Sequence, residues 1–338
     1  MTTRDAIGGG PAVSVALCTY NGARFIEEQI RSICAQTLPP HEIVLSDDAS
    51  RDNCIAAAQR AHEACARAGH DGTMRPSLHI IRNETARGVT RNFEQAVQTC
   101  RGDYIALCDQ DDIWHPEKLA RLVDALESGS RPSLVHADAR LVDSQGQSLG
   151  ATLFGSLAVS PAEFAQVHRG HAFEVLLRRN LVTGATTVFR RTLLEQALPF
   201  PPGWLHDEWL GLVAAAQGGV DLVEWCCIDY RQHGANQVGA ARLGPAGKVR
   251  KAMASREDDA PRRAAKARLL VERLQALSIP EAMVEKARMR LLHQERRAAL
   301  PRFRPARLLP IAKEWASGRY DAYDYGVQGV IRDLLAAP

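Results

Sequence analysis

The first third of the chain alternates short apolar runs with longer amphipathic stretches. Residues 13–18 (VSVALC) form a continuous apolar run between a proline and a polar turn, which predicts a buried parallel strand. Residues 25–36 place their apolar side chains on one helical face. The pattern then repeats, with strands predicted at 43–45, 78–81 and 104–108, and helices at 51–69 and after Gly88. This alternation predicts an α/β fold with a doubly wound, mostly parallel sheet flanked by helices.

Carboxylates follow the strand predicted at 104–108. Asp109, Asp111 and Asp112 stand at its carboxyl end, where ligands bind in sheets of this kind. Clustered carboxylates raise one another's pKa, and a hard divalent cation is their usual partner. We therefore predict a metal site here. The alternative is that Asp112 caps the helix that Pro116 helps to start, and that the other two acids are solvated.

Composition is that of a soluble globular protein. The 338 residues are 46% hydrophobic and 24% charged, enough for one large α/β domain with an appendage. Residues 1–11 include three glycines before the first strand and predict a flexible leader. Neither a signal peptide nor an apolar span of about 20 residues is present, which predicts a cytoplasmic protein. The eight cysteines form no CxxC pair and predict reduced core thiols.

Basic residues are concentrated late in the chain. Residues 242–319 contain 20 Lys and Arg against 8 Asp and Glu, whereas residues 1–241 contain 21 against 28. Leucines at helical spacing in the same segment predict a basic helical C-terminal region at 241–338. Its cationic face suits a peripheral contact with an anionic membrane, or is simply solvated. No recognition motif supports nucleic-acid binding.

Four segments in order resemble family 2 glycosyltransferases of the GT-A fold: VALCTYNGARFIEEQIRSICAQT, IVLSDDAS, RNETARGVTRNFEQA and DYIALCDQDDIWHPEKL. Within that family, CDQDDIW, LVTGATTVFRR, HDEW and YRQHGAN resemble the bacterial rhamnosyltransferase-like branch that builds surface polysaccharides. The resemblance covers about residues 12–240. It implies a catalytic domain over 12–240, with a nucleotide-binding half at 12–125 and an acceptor half at 126–240.

The resemblance implies that the first two strand ends hold the donor nucleotide. The matching residues are Thr19, Tyr20, Asp47 and Asp48, with Asp48 best suited to contact the base. A carboxylate can accept a hydrogen bond from the N3–H of uracil or thymine, and an aromatic ring can stack on the base. The alternative is that Asp48 or Ser50 caps the following helix.

The resemblance also implies a metal bound at the third strand end. Asp111 would ligate Mg²⁺ or Mn²⁺ bridging the donor diphosphate, with Asp109 near the ribose or the metal. His233 would add a metal or phosphate contact, or is structural. Arg87 or Arg91 would meet the base or the diphosphate, or is a surface arginine.

Asp207 matches the second acid of the family's Glu-Asp motif, with His206 in place of the first. The resemblance implies that Asp207 is the general base that deprotonates the acceptor hydroxyl during a single inverting displacement. Glu208 is the competing candidate for this base. A further alternative is that Asp207 is a helix N-terminal acid that interacts with the helix dipole.

Residues between these motifs give weaker predictions. A strand, turn and strand at LVHADARLVDSQGQSLG predicts Asp138 at a strand end near the site. Thr183 and Gly184 are candidates for close approach of a sugar to the backbone. Trp204 and Trp209 are candidates for an apolar sugar platform, with a core position as the alternative.

Together these features predict a metal-dependent inverting glycosyltransferase. It would move a sugar, with L-rhamnose from dTDP-rhamnose as one candidate, from a nucleoside-diphosphate donor to a hydroxyl of a surface polysaccharide or lipid-linked glycan. A nucleotidyltransferase is an alternative, although the first turn, TYNG, lacks the glycine-rich loop and lysine that such an enzyme requires. A sugar-nucleotide-binding protein without activity is another.

Overall fold

A computed structural model describes residues 11–68, 75–129, 131–233 and 259–336. Its strands are β1 (Val13–Thr19), β2 (Glu42–Asp47), β3 (Ser77–Arg82), β4 (Tyr104–Cys108), β5 (Ile113–Trp114), β6 (Leu134–Val142), β7 (Ser148–Thr152), β8 (Thr187–Arg190) and β9 (Val220–Arg231). Its helices are α1 (Ile26–Cys34), α2 (Cys54–Ala68), α3 (Val89–Thr99), α4 (Lys118–Glu127), α5 (Leu153–Ser156), α6 (Pro161–His168), α7 (Ala172–Arg178), α8 (Leu194–Ala197), α9 (His206–Ala215), α10 (Asp259–Ala276), α11 (Glu281–Ala298), α12 (Leu308–Ala316), α13 (Arg319–Tyr323) and α14 (Val327–Leu335).

The strands form one mixed sheet in the order β3-β2-β1-β4-β8-β6-β9-β5, with β7 paired to β6. Strands β3, β2, β1 and β4 are parallel, whereas the pairs β4 with β8, β8 with β6 and β5 with β9 are antiparallel. The predicted α/β fold and the four alternating strands and helices are confirmed. The antiparallel pairs of the other half were not predicted.

The chain divides into two compact units, each described by itself. The first contains Met1–Leu153, Thr183–Leu198 and Val223–His233. Strands β1, β2 and β4 are buried along their whole length, because helices cover both faces of continuous apolar strands. In α1, Ile26, Ile30 and Ile33 are fully buried, as their helical spacing predicts.

Two local predictions require correction in the first unit. Asp138 lies inside β6 and not at a strand end, because β6 continues to Val142. Helix α2 begins at Cys54 and not at residue 51, since the Asp52 carboxylate accepts the Cys54 N–H at 3.1 Å and ends the preceding turn there. Neither Asp48 nor Ser50 caps this helix, so that alternative is wrong.

The second unit contains Phe154–Val182, Pro199–Leu222 and Gly234–Pro338. Its described C-terminal part is helical, as predicted, and α10 packs along α11. The basic residues between 248 and 258 lie outside the described part of the chain, as does the leader up to residue 10. All eight cysteines are free, and no helix in the described ranges is long and apolar enough to cross a membrane.

Glu163 joins α6 to the end of α7. Its carboxylate accepts the Ser160 N–H at 2.9 Å, completing a capping box, and receives Arg178 at 2.6 Å and Arg179 at 2.8 Å. Burial would raise the pKa of Glu163, but Arg179 and Ser160 outweigh it and hold the pKa at about 2. The charged form is therefore the stabilising one.

We expect Glu163→Gln to lower the free energy of unfolding by about 3 kcal/mol at pH 7, because two arginines lose a buried partner. A carboxyl group whose pKa is lower in the folded state stabilises above its unfolded pKa of 4.5 and loses that effect as pH falls toward 2. Urea unfolding should therefore show a smaller difference between variant and wild type at pH 3 than at pH 7. Glu27→Gln, which breaks an exposed pair with Arg31, is the matched control and should change stability by less than about 1 kcal/mol. A difference that does not shrink in acid would contradict the assignment.

Candidate active site

The carboxyl ends of β1, β2 and β4 lie at one edge of the sheet. Thr19 pairs with Asp47 in the β1–β2 register, and Leu17 pairs with Cys108 in the β1–β4 register. The three loops that carry the predicted donor and metal residues therefore leave the same edge, as the topology predicted.

Gln110 joins the loop after β4 to the loop after β1. Its side-chain oxygen accepts the Tyr20 N–H at 2.8 Å, and its nitrogen donates to the Tyr20 carbonyl at 3.2 Å. A Cβ on Gly22 would lie 2.2 Å from the Gln110 oxygen, so a larger residue here would displace the Gln110 side chain. Sequence reasoning missed Gln110, because its role depends on a contact 90 residues away.

We expect Gly22→Ala to displace the Gln110 side chain and remove both bonds to Tyr20. Because the displaced group is the end of a flexible side chain, stability should change by less than about 1 kcal/mol. Donor binding, measured by calorimetry, should weaken by about tenfold, because a loop that must be ordered on binding reduces the binding free energy by about 1.4 kcal/mol. Ala23→Ser, one residue on, is the control. Unchanged affinity in Gly22→Ala would show that the Gln110 contact does not position the loop for the donor.

The loops after β1 and β2 are also bound to each other. The Asn21 N–H donates to Ser50 Oγ at 2.8 Å, and the Arg51 N–H donates to Asn21 Oδ1 at 2.9 Å. Asn21 and Ala49 have φ of 51° and 63°, a left-handed conformation that costs alanine about 1–2 kcal/mol. Such backbone strain is typical of sites where the loop geometry serves a ligand.

Thr19 and Asp47 are buried beneath the loops after β1 and β2. Thr19 Oγ1 donates to Asp47 Oδ1 at 2.9 Å, and the Ser50 N–H donates to Asp47 Oδ2 at 3.0 Å. Both side chains are buried, whereas Tyr20 is 44% exposed. The pair therefore supports the backbone of both loops, and Tyr20 presents its ring outward.

Asp48 fixes the loop that precedes α3. One carboxylate oxygen accepts the Arg87 N–H at 2.7 Å and Asn83 Nδ2 at 3.3 Å, and the other accepts the Gly88 N–H at 2.9 Å. A carboxylate has about four acceptor positions, so room for one more donor remains. Arg87 and Arg91 are exposed, and their guanidinium groups contact Gln95 at 2.7 Å and Glu94 at 2.6 Å respectively.

Asp111 and His233 meet directly. His233 Nε2 lies 2.7 Å from Asp111 Oδ2, and the imidazole stacks on the Phe25 ring with centroids 4.9 Å apart. Burial raises the pKa of Asp111, and the contact with His233 opposes that rise. Asp111 is buried, so it is not a solvated loop acid, and Asp112 does not cap the following helix, because α4 starts at Lys118 with Glu117 at its N-cap. Asp109 is only partly buried.

Arg231 holds the acidic loop against β9. Its N–H donates to Asp112 Oδ1 at 3.1 Å, and its guanidinium donates to the Asp111 carbonyl at 2.8 Å and to Glu28 at 2.6 Å. Burial and the neighbouring Asp111 and Asp109 raise the pKa of Asp112 well above its usual range. Sequence reasoning missed Arg231, although it stands two residues before His233 in YRQHGAN.

Lys118 is fully buried beneath the same loop. Its Nζ donates to the Ala185 carbonyl at 2.7 Å and lies 3.4 Å from the centroid of the Trp114 ring. Burial lowers the pKa of Lys118. The ammonium therefore fixes the turn that follows Thr183 and Gly184 to α4.

The residues present fit a divalent cation with help from its substrate. Within the described ranges no three His, Cys, Asp or Glu side chains are placed to hold a metal by themselves. Asp111 Oδ2 and His233 Nε2 lie 2.7 Å apart, so the two side chains would reach one divalent cation together. Mg²⁺ is commonly held by one or two carboxylates together with substrate phosphates and water. Asp109 directly follows the end of β4, and it adds, together with Asp111, to the effect of burial in raising the pKa of the neighbouring Asp112.

Asp207 lies in the first turn of α9. Its Oδ1 accepts the Glu208 N–H at 2.7 Å, and the carboxyl group is half-buried. Glu208 pairs with Lys266 at 2.7 Å. Burial lowers the pKa of His206, although the charge of Asp207 opposes this, so the imidazole is neutral near pH 7.

The two tryptophans beside this turn do not form a sugar platform. Trp204 and Trp209 are 2% and 0% exposed, and their ring centroids lie 5.5 Å apart in the core. That prediction is wrong, because α9 buries nearly its whole surface. The core alternative is the correct one.

Comparison with known sequences identifies relatives over the same region. The model of glycosyl transferase family 2 matches residues 14–154. An uncharacterised protein of Mycobacterium tuberculosis (strain H37Rv) is 27% identical over 228 residues, covering 65% of this chain and 59% of that protein. An uncharacterised glycosyltransferase of Nostoc sp. is 26% identical over 228 residues, covering 66% of each. The chain thus matches about three fifths of the mycobacterial relative's length.

Two solved structures share the fold. S. aureus TarS 1–349 in complex with UDP-GlcNAc has a TM-score of 0.59 at 15% identity, covering 96% of this chain and 89% of that one. The mannosyltransferase PcManGT from Pyrobaculum calidifontis, in complex with GDP-Man and Mn²⁺, has a TM-score of 0.50 at 18% identity, covering 98% and 89%. The expected GT-A architecture is confirmed. Residues 14–154 are thus similar to glycosyl transferase family 2, within a fold that resembles those of the two solved structures.

Proposed function

We propose that this protein is a metal-dependent inverting glycosyltransferase. It moves a sugar from a nucleoside diphosphate to a hydroxyl of a growing surface polysaccharide or lipid-linked glycan. The observation that carries the proposal is the Asp111–His233 contact at the edge where the loops after β1, β2 and β4 meet. Two fold neighbours bind nucleotide sugars, and one of them does so with Mn²⁺.

The donor nucleotide is assigned to the loops after β1 and β2. Tyr20 stacks on the base, and the remaining acceptor position of Asp48 takes the N3–H of uracil or thymine. Thr19 and Asp47 hold these loops in place from below. Arg87 or Arg91 leaves its present partner to meet the base or the diphosphate.

Asp111 and His233 hold Mg²⁺ or Mn²⁺, with Asp109 near the ribose. A cation held by these residues would supply stabilisation of the negative charge on the departing nucleoside diphosphate, an effect worth several kcal/mol. Asp207 takes the proton of the acceptor hydroxyl while that oxygen bonds to the anomeric carbon and the bond to the diphosphate breaks. L-rhamnose carried by dTDP is the first donor to test.

The experiment is a thermal-shift screen of dTDP-rhamnose, UDP-sugars and GDP-sugars, with Mn²⁺, with Mg²⁺ and with EDTA. Selective binding raises the melting temperature by mass action, and we expect one nucleotide class to do so in the presence of metal. A shift that persists in EDTA would contradict the metal assignment. No shift with any nucleotide sugar would contradict the donor assignment.

The basic C-terminal region supports contact with a membrane that carries the acceptor. A lipid-linked acceptor resides at a membrane, and the cationic C-terminal region suits peripheral contact with anionic lipid. The proposed function therefore includes peripheral contact with an anionic membrane.

A further inference from the structure

The C-terminal surface is the set of exposed large hydrophobic side chains on α12, α14 and the turns beside them. Its members are Phe303, Leu308, Leu309, Trp315, Tyr325, Val327, Ile331 and Leu335. Apart from Tyr20 and Leu149, every exposed large hydrophobic side chain of the described residues belongs to it. Scattered exposed hydrophobics are ordinary, but a concentration of this kind marks an interaction surface.

The spacing of these residues places them on outward faces. In α14, Val327, Ile331 and Leu335 recur every four residues and share one side, while Val330 and Asp333 are buried on the other. In α12, Ile311 and Glu314 are the buried residues. The surface thus consists of the sides of two amphipathic helices that do not face the core.

Contacts inside the unit bring the two helices together. Helix α12 packs against α14. Arg304 Nη2 donates to the Leu335 carbonyl at 2.8 Å, which brings the turn that carries Phe303 to the end of α14. Arg307, buried beside Leu308, donates to the Ala336 carbonyl at 2.9 Å. The apolar residues at the start of α12 and the end of α14 are therefore neighbours.

The acids of this segment are turned inward. Glu314 receives His293 at 2.8 Å and Arg319 at 2.6 Å. Asp333 receives Arg297 at 2.6 Å and Tyr320 at 2.8 Å. These carboxylates are neutralised within the unit and contribute little negative potential outside it.

The exposed charges of the segment are mainly positive. All of residues 299–336 are described, and their exposed charged side chains are Arg302, Arg304, Lys313 and Asp321. A third buried acid, Asp324, pairs with Arg297 at 2.6 Å. The apolar side chains of this surface suit the acyl region of a bilayer, and the bordering cations suit anionic head groups.

We propose that the C-terminal surface docks this protein on an anionic lipid bilayer. Phe303, Leu309 and Trp315 enter the interface, and the exposed cations bind head-group phosphates. Helices α12 and α14 have nine residues each, about 13 Å of helix, so they lie in the plane of the interface and do not span it. The purpose of this docking, access to a lipid-linked acceptor, rests on the proposed function, but the docking itself is measured without donor or metal.

The first test is co-sedimentation of the full chain with vesicles of phosphatidylcholine alone or mixed with phosphatidylglycerol. We expect binding to the anionic vesicles that weakens at high salt, by about fivefold for each cation that salt screens from the head groups. The double variant Leu309→Ser/Ile331→Ser should bind at least about tenfold more weakly, since each substitution removes a large apolar group from the interface. Leu149→Ser, an exposed leucine outside the surface, is the matched control and should bind as wild type.

The second test reports insertion of this surface in particular. Vesicles with brominated acyl chains quench tryptophan on contact. Of the four tryptophans outside the C-terminal surface, Trp114, Trp204 and Trp209 are buried and Trp225 is half-buried. We expect quenching that disappears in Trp315→Phe while vesicle binding remains. Quenching that survives this substitution would mean that another part of the chain enters the lipid.

Further results of these experiments would overturn membrane docking or separate it from transferase activity. No sedimentation with anionic vesicles, or equal sedimentation of the double variant, would overturn the proposal. A wild-type dimer in light scattering that the double variant converts to monomer would make this face a contact between two copies instead. Donor turnover without vesicles should be the same in wild type and double variant, so failure of docking and failure of the proposed transferase activity are separately visible.

Discussion

Replacing Asp111 by asparagine is expected to lower metal-dependent release of nucleoside diphosphate by at least about 100-fold. The substitution keeps the shape of the side chain and removes the charge that the cation requires. A loss of about 3 kcal/mol of leaving-group stabilisation corresponds to about a hundredfold in rate. The assay is release of nucleoside diphosphate from the donor that the thermal-shift screen selects, with water as acceptor.

The control for Asp111→Asn is Asp124→Asn, which removes an exposed carboxylate from α4. Its activity should equal that of wild type. The melting temperature of Asp111→Asn should stay near the wild-type value, because Arg231 still binds the carbonyl of residue 111 and the Asp112 carboxylate. Retained metal-dependent turnover in a folded Asp111→Asn protein would remove Asp111 from the metal site.

Replacing Asp207 by asparagine is expected to lower turnover by about 10²- to 10⁴-fold, the usual contribution of a general base. Asparagine can keep the contact to the Glu208 N–H but cannot take a proton. The apparent affinity for the donor should be unchanged, because the base acts on the acceptor. The measurement is a comparison of kcat with donor affinity from calorimetry.

Glu208→Gln is the matched comparison for Asp207→Asn. It weakens the pair with Lys266 and should lower stability more than turnover, since that pair is partly buried. If Glu208→Gln abolishes turnover while Asp207→Asn retains it, the base is Glu208. If both retain it, neither acid of the HDEW motif is the base.

Sequence pattern predicted the parallel half of the fold because its strands are short, largely apolar runs that alternate with amphipathic helices. It did not predict the pairing of β5 with β9, since two residues, Ile113 and Trp114, carry no periodic signal. The prediction that Asp138 lies at a strand end was wrong for a related reason. Strand β6 continues past it, and no turn residue marks an end there.

The site was predictable to the extent that topology brings loops together. The convergence of Asp47, Asp48 and Asp111 on one edge follows from parallel strands alone. The contacts of Gln110 and Arg231 do not, because they join segments far apart in the chain. No local pattern encodes such contacts.

The sequence also did not predict which individual side chains are buried. Trp204 and Trp209 fit a platform or a core position equally well by pattern, and their packing decided the matter. The acids of the C-terminal segment have the pattern of surface charges, yet Glu314, Asp324 and Asp333 are all buried. Their inward orientation is what leaves the exposed part of that segment cationic.

The most direct test of metal-dependent glycosyl transfer is nucleoside diphosphate release from the selected donor, measured with Mn²⁺ and again after addition of EDTA. We predict turnover that EDTA abolishes, that added Mn²⁺ restores in wild type, and that Mn²⁺ does not restore in Asp111→Asn. Turnover that continues unchanged in EDTA would contradict a metal-dependent mechanism.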